Sequence, residues 1–506
     1  MSQPRSDAAV RGLITVSVML ATIMQALDTT IANVALPYMQ GGLAATQEQI
    51  SWVLTSYIVA AAIMTPPTGV LAARFGRKKV FAVAVAGFTV ASMLCGAATS
   101  LEEIVIFRLL QGVFGASLVP LSQAVLLDTY PPEKHGSAMA IWGVGVMLGP
   151  ILGPTLGGWL TETYNWRWVF YVNLPFGILA LFGILAFLPE TEKDSGRRFD
   201  VFGFTLLSLS IGALQMMLDR GESQNWFSSR EIVIETVIAA LCLYMFLVHM
   251  FTAEKPFIEP ALFKDRNLAV GLVLIFIVGV ILLATLSLLP PFLQKLMGYP
   301  VLTTGLTLAP RGAGTMVAMM IVGRIISRVD TRLLILTGLS LLSLSLWQMA
   351  QFTTDVTQRD LILTGVVQGL GLGLVFVPLS TTTFSTLAPH FRAEGTAMFS
   401  LMRNIGSSIG ISVMTFLLTR NTQVVHAGLA EKMNPFRPEL VSPWLPDAWN
   451  FHTQTGVIAL NAEISNQALT VAYLNDFTIM MWLTMAAAPL LLLLRRPRPR
   501  PVEAKA

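Results

Sequence analysis

Ile141-Trp142-Gly143-Val144-Gly145-Val146-Met147-Leu148-Gly149-Pro150-Ile151-Leu152-Gly153-Pro154-Thr155-Leu156-Gly157-Gly158 is the stretch whose reading decides the fold. In water such a helix would not persist, since an interior Gly is less favourable than Ala by about 1 kcal/mol and an interior Pro by about 3 kcal/mol. In a bilayer the same breaks are tolerated, because neighbouring helices re-satisfy the freed backbone groups. Gly145, Gly149, Gly153 and Gly157 recur every fourth residue and line one helical face, a groove without side chains against which a second helix can pack backbone to backbone. Pro150 and Pro154 are expected to bend the helix and make it a pivot. The segment predicts a membrane protein that moves.

Composition agrees with this reading. Of 506 residues, 54% are hydrophobic and 12% charged, with a mean hydropathy of +0.67. A soluble chain of this length needs a more charged surface. Spans of roughly 20 apolar residues number about fourteen. The net charge of +4 does not indicate a nucleic-acid partner, because the basic residues fall in loops with a regular asymmetry. With the N-terminus in the cytoplasm, Arg74, Arg77, Lys78, Lys79, Arg197, Arg198, Arg324, Arg328, Arg332 and the arginines from Arg495 to Arg500 all lie inside, as the positive-inside rule requires. The first span is too long for a signal-peptide core and contains Asp28, so it is read as retained. Cys95 and Cys242 both fall within spans and are read as packing thiols.

An internal repeat organises the chain. Gln111-Gly112 followed by Val119-Pro120-Leu121-Ser122 returns as Gln368-Gly369 followed by Val377-Pro378-Leu379-Ser380. Gly136-Ser137-Ala138-Met139 returns as Gly395-Thr396-Ala397-Met398, and Gly69 with Arg74 returns as Gly323 with Arg328. These offsets predict an all-α integral membrane protein of two pseudo-symmetric six-helix bundles in parallel. Residues 13–188 form the first bundle, 200–252 two inserted helices, and 268–494 the second bundle, with a long outer loop at about 420–474. Residues 495–506 are a basic cytoplasmic tail.

This arrangement resembles the major facilitator superfamily. Leu27-Asp28-Thr29-Thr30-Ile31-Ala32-Asn33-Val34-Ala35-Leu36-Pro37 is similar to the first-helix motif of the fourteen-span drug:H+ antiporter branch, the EmrB/QacA type. Arg108-Leu109-Leu110-Gln111-Gly112 is similar to its fourth-helix motif. Gly145, Gly149, Pro150, Gly153, Pro154 and Gly157 resemble the fifth-helix antiporter motif, and Asn165-Trp166-Arg167-Trp168-Val169-Phe170-Tyr171-Val172-Asn173-Leu174-Pro175 resembles the connection into the sixth helix. The loop from Gly69 through Arg74, Gly76 and Arg77 to Lys79 resembles the superfamily's gating loop, although Ala73 stands where many members have an aspartate. The resemblance implies alternating access driven by a proton gradient, with no bound cofactor. It implies small lipophilic substrates, multidrug efflux and antibiotic resistance, and residence in a bacterial inner membrane with both termini cytoplasmic. EmrB-type exporters also work with a periplasmic membrane-fusion adaptor and an outer-membrane channel, which makes both of them candidate partners.

Ionisable groups inside a bilayer are costly, by at least ~2.5 to 3.5 kcal/mol near its centre, and mark function by default. Asp28, Arg108, Arg311 and Arg403 are the candidates. Asp28 and Arg108 lie at similar depth on antiparallel spans, so they can pair across the first bundle. Gln25 shares the face of Asp28, and Gln111 that of Arg108; both faces are expected to line a cavity. The charge on a carboxyl group there responds to a neighbouring cation, which makes Asp28 a candidate proton switch with Arg108 as partner. A purely structural pair is the other reading. Arg311 and Arg403, with Asn404 beside it, are candidates for a substrate cavity or for bonding carbonyls at helix breaks. Glu235 and His249 belong to the insert and are expected to pack. The outer loop, with Trp444, Trp449 and Asn461 to Gln467, is expected to touch an adaptor or to form a lid.

Several functions are disfavoured. No Gly-x-x-x-x-Gly-Lys-Ser/Thr loop supports an ATP-driven pump. His135, His249, His390, His426 and His452 are scattered without metal-ligand spacing, so no metal site is expected. The alternatives to multidrug export are a dedicated exporter of a fatty acid, siderophore or other metabolite and, further off, a membrane-embedded enzyme or a channel.

Overall fold

The computed structural model describes residues 8–191, 199–433, 449–451 and 453–495. All regular structure among them is helical. The first half runs through α1 (Ala8–Gly42), α2 (Gln47–Met64), α3 (Pro67–Phe75), α4 (Arg77–Ala97), α5 (Leu101–Gly115), α6 (Leu118–Thr129), α7 (His135–Thr163), α8 (Trp168–Tyr171) and α9 (Asn173–Phe187). Then come α10 (Val201–Arg220) and α11 (Arg230–Thr252). The second half comprises α12 (Arg266–Pro291), α13 (Val301–Ile325), α14 (Thr331–Met349), α15 (Gln358–Ser385), α16 (Arg392–Lys432) and α17 (Gln454–Ala487). Among the described residues, thirteen helices are long and apolar enough to cross a membrane, or up to 14 if one bent pair counts as a span.

That bent pair is α2 and α3, which meet at 56°. Pro66 and Pro67 supply no N–H to the ladder, and each clashes with the carbonyl four residues earlier. Pro120 likewise leaves the carbonyl of Ala116 without its donor, and the fourth span breaks there into α5 and α6. α7 runs as one helix through Pro150 and Pro154.

The glycine groove of α7 receives α1. A Cβ on Gly149 would stand 2.7 Å from that of Ala26 and press on the Ala26 carbonyl, and one on Gly153 would stand 2.7 Å from Cβ of Thr30. Gly145 meets Met19, and Gly157 meets Ile31 and Val34. The Thr30 hydroxyl donates to the Gly149 carbonyl at 2.9 Å. The second half repeats this seam, with Gly406 against the backbone of Phe276 and Gly410 against that of Val280. Gly112 lies on the Tyr57 carbonyl as Gly369 lies on that of Arg311. The internal repeat is therefore a repeat of packing.

A second face of α7, made by Gly136, Ala140 and Gly143, meets α13 of the other half at Ile326, Gly323 and Met319. The inserted α10 bridges the halves, its Leu218 carbonyl accepting from Ser412 of α16 at 2.6 Å and its Asp219 from Thr55 of α2. His249 pairs with Asp200 at 2.8 Å, and Glu235 is buried within the insert.

The loop expected at about 420–474 is mostly helix. α16 continues to Lys432 and α17 begins at Gln454, so Asn461 to Gln467 are helical, and His426 bonds Asn461 across the two helices at 3.1 Å. Paired helices satisfy their own backbone, which lets them run beyond the apolar window that marks a span. Trp449 lies in the short described connection; Trp444, His452, Arg197, Arg198 and the tail beyond Arg495 lie outside the described residues.

Close approach at Gly149 predicts a sharp contrast. Gly149→Ala should lower thermal stability by roughly the 1–3 kcal/mol typical of overpacking, whereas Gly158→Ala, with nothing within 4 Å of the new methyl, should leave it unchanged. Melting in detergent, followed by monodisperse elution, measures both, and equal melting temperatures would refute the packing account.

Candidate functional site

Gly112 brings α5 onto α2 and so sets Arg108 inside the first bundle. Its guanidinium lies 4.3 Å from the ring centroid of Tyr57 and 5.7 Å from that of Phe170. Nε donates to the Val53 carbonyl at 3.1 Å, and Nη1 donates to Asp28 Oδ2 at 2.7 Å and to Gln111 Oε1 at 2.8 Å. Asp28 Oδ1 also accepts from Gln111 Nε2 at 2.8 Å and from Asn173 Nδ2 at 2.9 Å. Asn173 is steadied by Ser92 at 2.9 Å, whose hydroxyl donates to the Phe170 carbonyl. Asp28 is 2% exposed, Arg108 1%, and Gln111 and Asn173 0%.

A buried carboxylate is tolerated where a cation and further donors meet it, and Asp28 has all of these. The expectation that Gln111 lines a cavity is corrected: it is fully enclosed and spans the ion pair. Gln25 is half-buried and donates to the Tyr57 hydroxyl at 3.2 Å. Asn173, Ser92 and Tyr57 were not singled out from the sequence, although Asn173 stands within the quoted connection into the sixth helix.

The second half carries its charge elsewhere. Arg311 occupies the repeat position of Tyr57, and Gly365 that of Arg108. Arg311 is 6% exposed, reaches the Leu282 carbonyl only at 3.5 Å and keeps Nη1 unpartnered. Arg403 is half-buried, as is Asn404 beside it. Neither arginine has an acidic partner among the described residues, and the structure does not join them to Asp28.

The halves are latched at the end that carries the Arg74–Lys79 loop. Asp128, closing α6, pairs with Arg77 and with Arg392 of α16 at 2.6 Å, and Arg392 also donates to the Leu127 carbonyl at 3.2 Å. Gly69 lies against the backbone of Glu394, and at the related place Ser137 donates to the Gly323 carbonyl at 2.8 Å. Gly76, at φ +89°, makes the turn between α3 and α4. Arg74 is exposed and rests over Phe75, outside the latch. With Ala73 contributing no charge, Asp128 supplies the carboxylate that pairs with both Arg77 and Arg392. Deeper in, Trp142 stacks on Phe376 of α15 at 5.8 Å. Among the described residues no group of His, Cys, Asp and Glu is placed to hold a metal.

Residues 18–411 match the family model of the Major Facilitator Superfamily. The chain belongs to that superfamily. It is a membrane transporter of the EmrB-type branch. It is 38% identical to the multidrug export protein EmrB of Haemophilus influenzae over 84% of each chain, and 37% identical to the fatty acid resistance protein FarB of Neisseria gonorrhoeae over 87% of each. Among solved superfamily structures, the proton:xylose symporter XylE superimposes with a TM-score of 0.61 over 95% of this chain and 96% of its own, at 13% identity. The human organic anion transporter TETRAN gives 0.57 over 96% and 100%, at 15% identity.

Mutual dependence of the buried pair in this superfamily member is measurable. Arg108→Met should cost roughly 3–5 kcal/mol by stranding Asp28, and the double variant Asp28→Asn/Arg108→Met should be more stable than Arg108→Met alone. Melting temperatures of the four proteins of the cycle give the coupling; strict additivity would mean that the pair is not a unit.

Proposed function

We propose that this transporter exports lipophilic drugs or other toxic compounds in exchange for protons, with Asp28 as the coupling acid. The enclosed Asp28–Arg108 pair carries this reading, and the relationship to multidrug export proteins of the EmrB type supports it. Protonation removes the charge of Asp28 and leaves Arg108 without its counter-ion, so the α1–α5–α9 contact weakens. α1 rides in the groove of α7, and α7 bears on α13 across the bundle interface. A proton at Asp28 thus acts on the seam that alternating access must rearrange. No cofactor enters; at ~180 mV one proton supplies ~4 kcal/mol, enough for a gradient near a thousandfold.

The latched end is assigned to the cytoplasm of a bacterial inner membrane, which places the basic loops inside. Both described ends of the chain lie there: Thr15 meets Tyr130 at 2.9 Å, and Arg495 meets Asn267 at 2.7 Å. At 1.5 Å per residue, α16 is ~60 Å long, twice the ~30 Å hydrocarbon core. Its outer part, paired with that of α17, is the surface offered to a periplasmic adaptor and, through it, an outer-membrane channel. A second reading, export of fatty acids or similar anions, is favoured by the acid-free Arg311 and Arg403 and by the relationship to FarB.

A susceptibility screen in an efflux-deficient host, spanning lipophilic cations, neutral drugs and long-chain fatty acids, separates the two. Wild type should protect, and Asp28→Asn should lose protection while still reaching the membrane. In proteoliposomes the variant should allow downhill movement but no pH-driven accumulation. Accumulation by Asp28→Asn equal to wild type would remove Asp28 from the coupling role.

A further inference from the structure

Asp476 is an acid that nothing above uses. It lies on α17 with 0% exposure, and neither carboxyl oxygen has a hydrogen-bond partner. Its helix neighbours Tyr473, Phe477 and Met480 belong to a buried apolar cluster with Leu288, Leu289 and Phe292 of the α12 end. An ionised carboxylate in such surroundings, without a cation or a donor, is too costly to keep, and a group so placed holds its proton instead. Asp28 meets the opposite conditions, with two amide donors and an arginine.

A route to water lies one helical turn away. Tyr473 lines a groove of about 540 Å³ between α12, α16 and α17, whose wall also includes Lys295, Thr415, Thr419, Thr422 and Gln423. Lys295 makes this groove unsuitable for an organic cation but no obstacle to proton exchange through hydroxyls and water. The ionisable groups facing the region are few. α17 presents Tyr473 beside Asp476, and the turn after α12 presents Lys295. α12 and α14 carry only Arg266 and Arg332, both at their far ends. On α16 the groove-wall residues are uncharged; Arg420 follows Thr419 directly and is exposed, and Arg403 lies twelve residues before Thr415, ~18 Å along the helix.

We propose that Asp476 is a second proton-carrying site, in the C-terminal half, loaded from the Tyr473 groove in this conformation and unloaded toward the latched end when the halves rearrange. In the unloading step the carboxyl O–H bond breaks, the proton passes to water on that side, and the carboxylate remains until it is reloaded from the groove. The proposal rests on proton coupling as set out above and adds one proton to each cycle.

Infrared spectroscopy of the purified full-length protein at neutral pH tests the loaded state directly. Wild type should show the carbonyl stretch of a protonated carboxylic acid, lost in Asp476→Asn and kept in Asp28→Asn. A spectrum unchanged by Asp476→Asn means an ionised Asp476 and overturns the proposal. Should Asp476→Asn fail to elute as a monodisperse protein, Asp476→Glu serves, with a shifted band expected and an unshifted one overturning. In proteoliposomes, the compound to which wild type confers resistance should accumulate about tenfold less in Asp476→Asn at a pH difference of one unit, the share of one proton. Equal accumulation overturns the carrier role. Absence of pH-driven accumulation in wild type would instead overturn the export reading and with it the carrier role, while the infrared comparison still decides whether Asp476 is protonated.

Discussion

A carboxylate inside a bilayer persists only beside a cation, and much of the first bundle is arranged to meet that demand at Asp28. Arg108 answers the charge, Gln111 and Asn173 fill the remaining acceptor positions, and Ser92 fixes Asn173 in turn. Arg108 and Gln111 come from α5 and Asn173 from the start of α9, so one acid of α1 ties the three helices together. The arginine could not reach without Gly112, whose missing side chain lets α5 rest on the carbonyl of Tyr57. Breaking one member strands a buried charge. That is why the cluster behaves as a unit and why neutralising its acid has consequences beyond the site.

The two halves share a skeleton but not a charge pattern. Small residues seat α7 on α1 and α16 on α12 at related positions, and the contact of Gly112 with residue 57 is repeated by Gly369 with residue 311. Within that common frame the first half places an arginine where the second has Gly365, and the second places Arg311 where the first has a tyrosine. Arg311 meets no acid among the described residues, and Asp476, a buried acid of the second half, has no hydrogen-bond partner among them. A structural role would favour closing such groups into pairs, since unpaired polar groups are the costly ones. Their separation argues that the second half retains open positions for a substrate group or a proton.

What was legible in the sequence follows from what each signal measures. Apolar windows mark spans, and they located the helices to within several residues except at the outer ends of α16 and α17. Small-residue spacing marks close approach, and it identified the face of α7 that meets α1. It did not reveal the second face, because Gly136, Ala140 and Gly143 look like part of the same glycine run until α13 is seen against them. Asp28 and Arg108 stand out as charges in apolar runs. Asn173, Ser92 and Tyr57 do not, since neutral polar residues are common in spans and only proximity gives them a role. Hydropathy also hid the length of α16 and α17: their outer turns are polar, so they read as a loop, whereas the pairing of two helices stabilises both. Asp476 was overlooked because it sits at the edge of the apolar window that marked the last span, where an acid would ordinarily reach water.

The position of α7 between α1 and α13 suggests how a proton at one site governs an interface elsewhere. Its groove toward α1 is tight enough that backbone meets side chain directly at Gly149 and Gly153, leaving little room for α1 to shift without α7 following. On its other face, Ala140 and Gly143 meet Gly323 and Met319 with the same closeness. Close-packed contacts transmit displacement because they cannot absorb it. The latch at Asp128 is different in kind: Arg77 and Arg392 hold it by charge at a partly exposed surface, where ion pairs are weak. Under the proposed coupling, a rigid lever inside the bundle works against a weak electrostatic clasp at its rim, so the modest energy of a proton at Asp28 is applied where resistance is least.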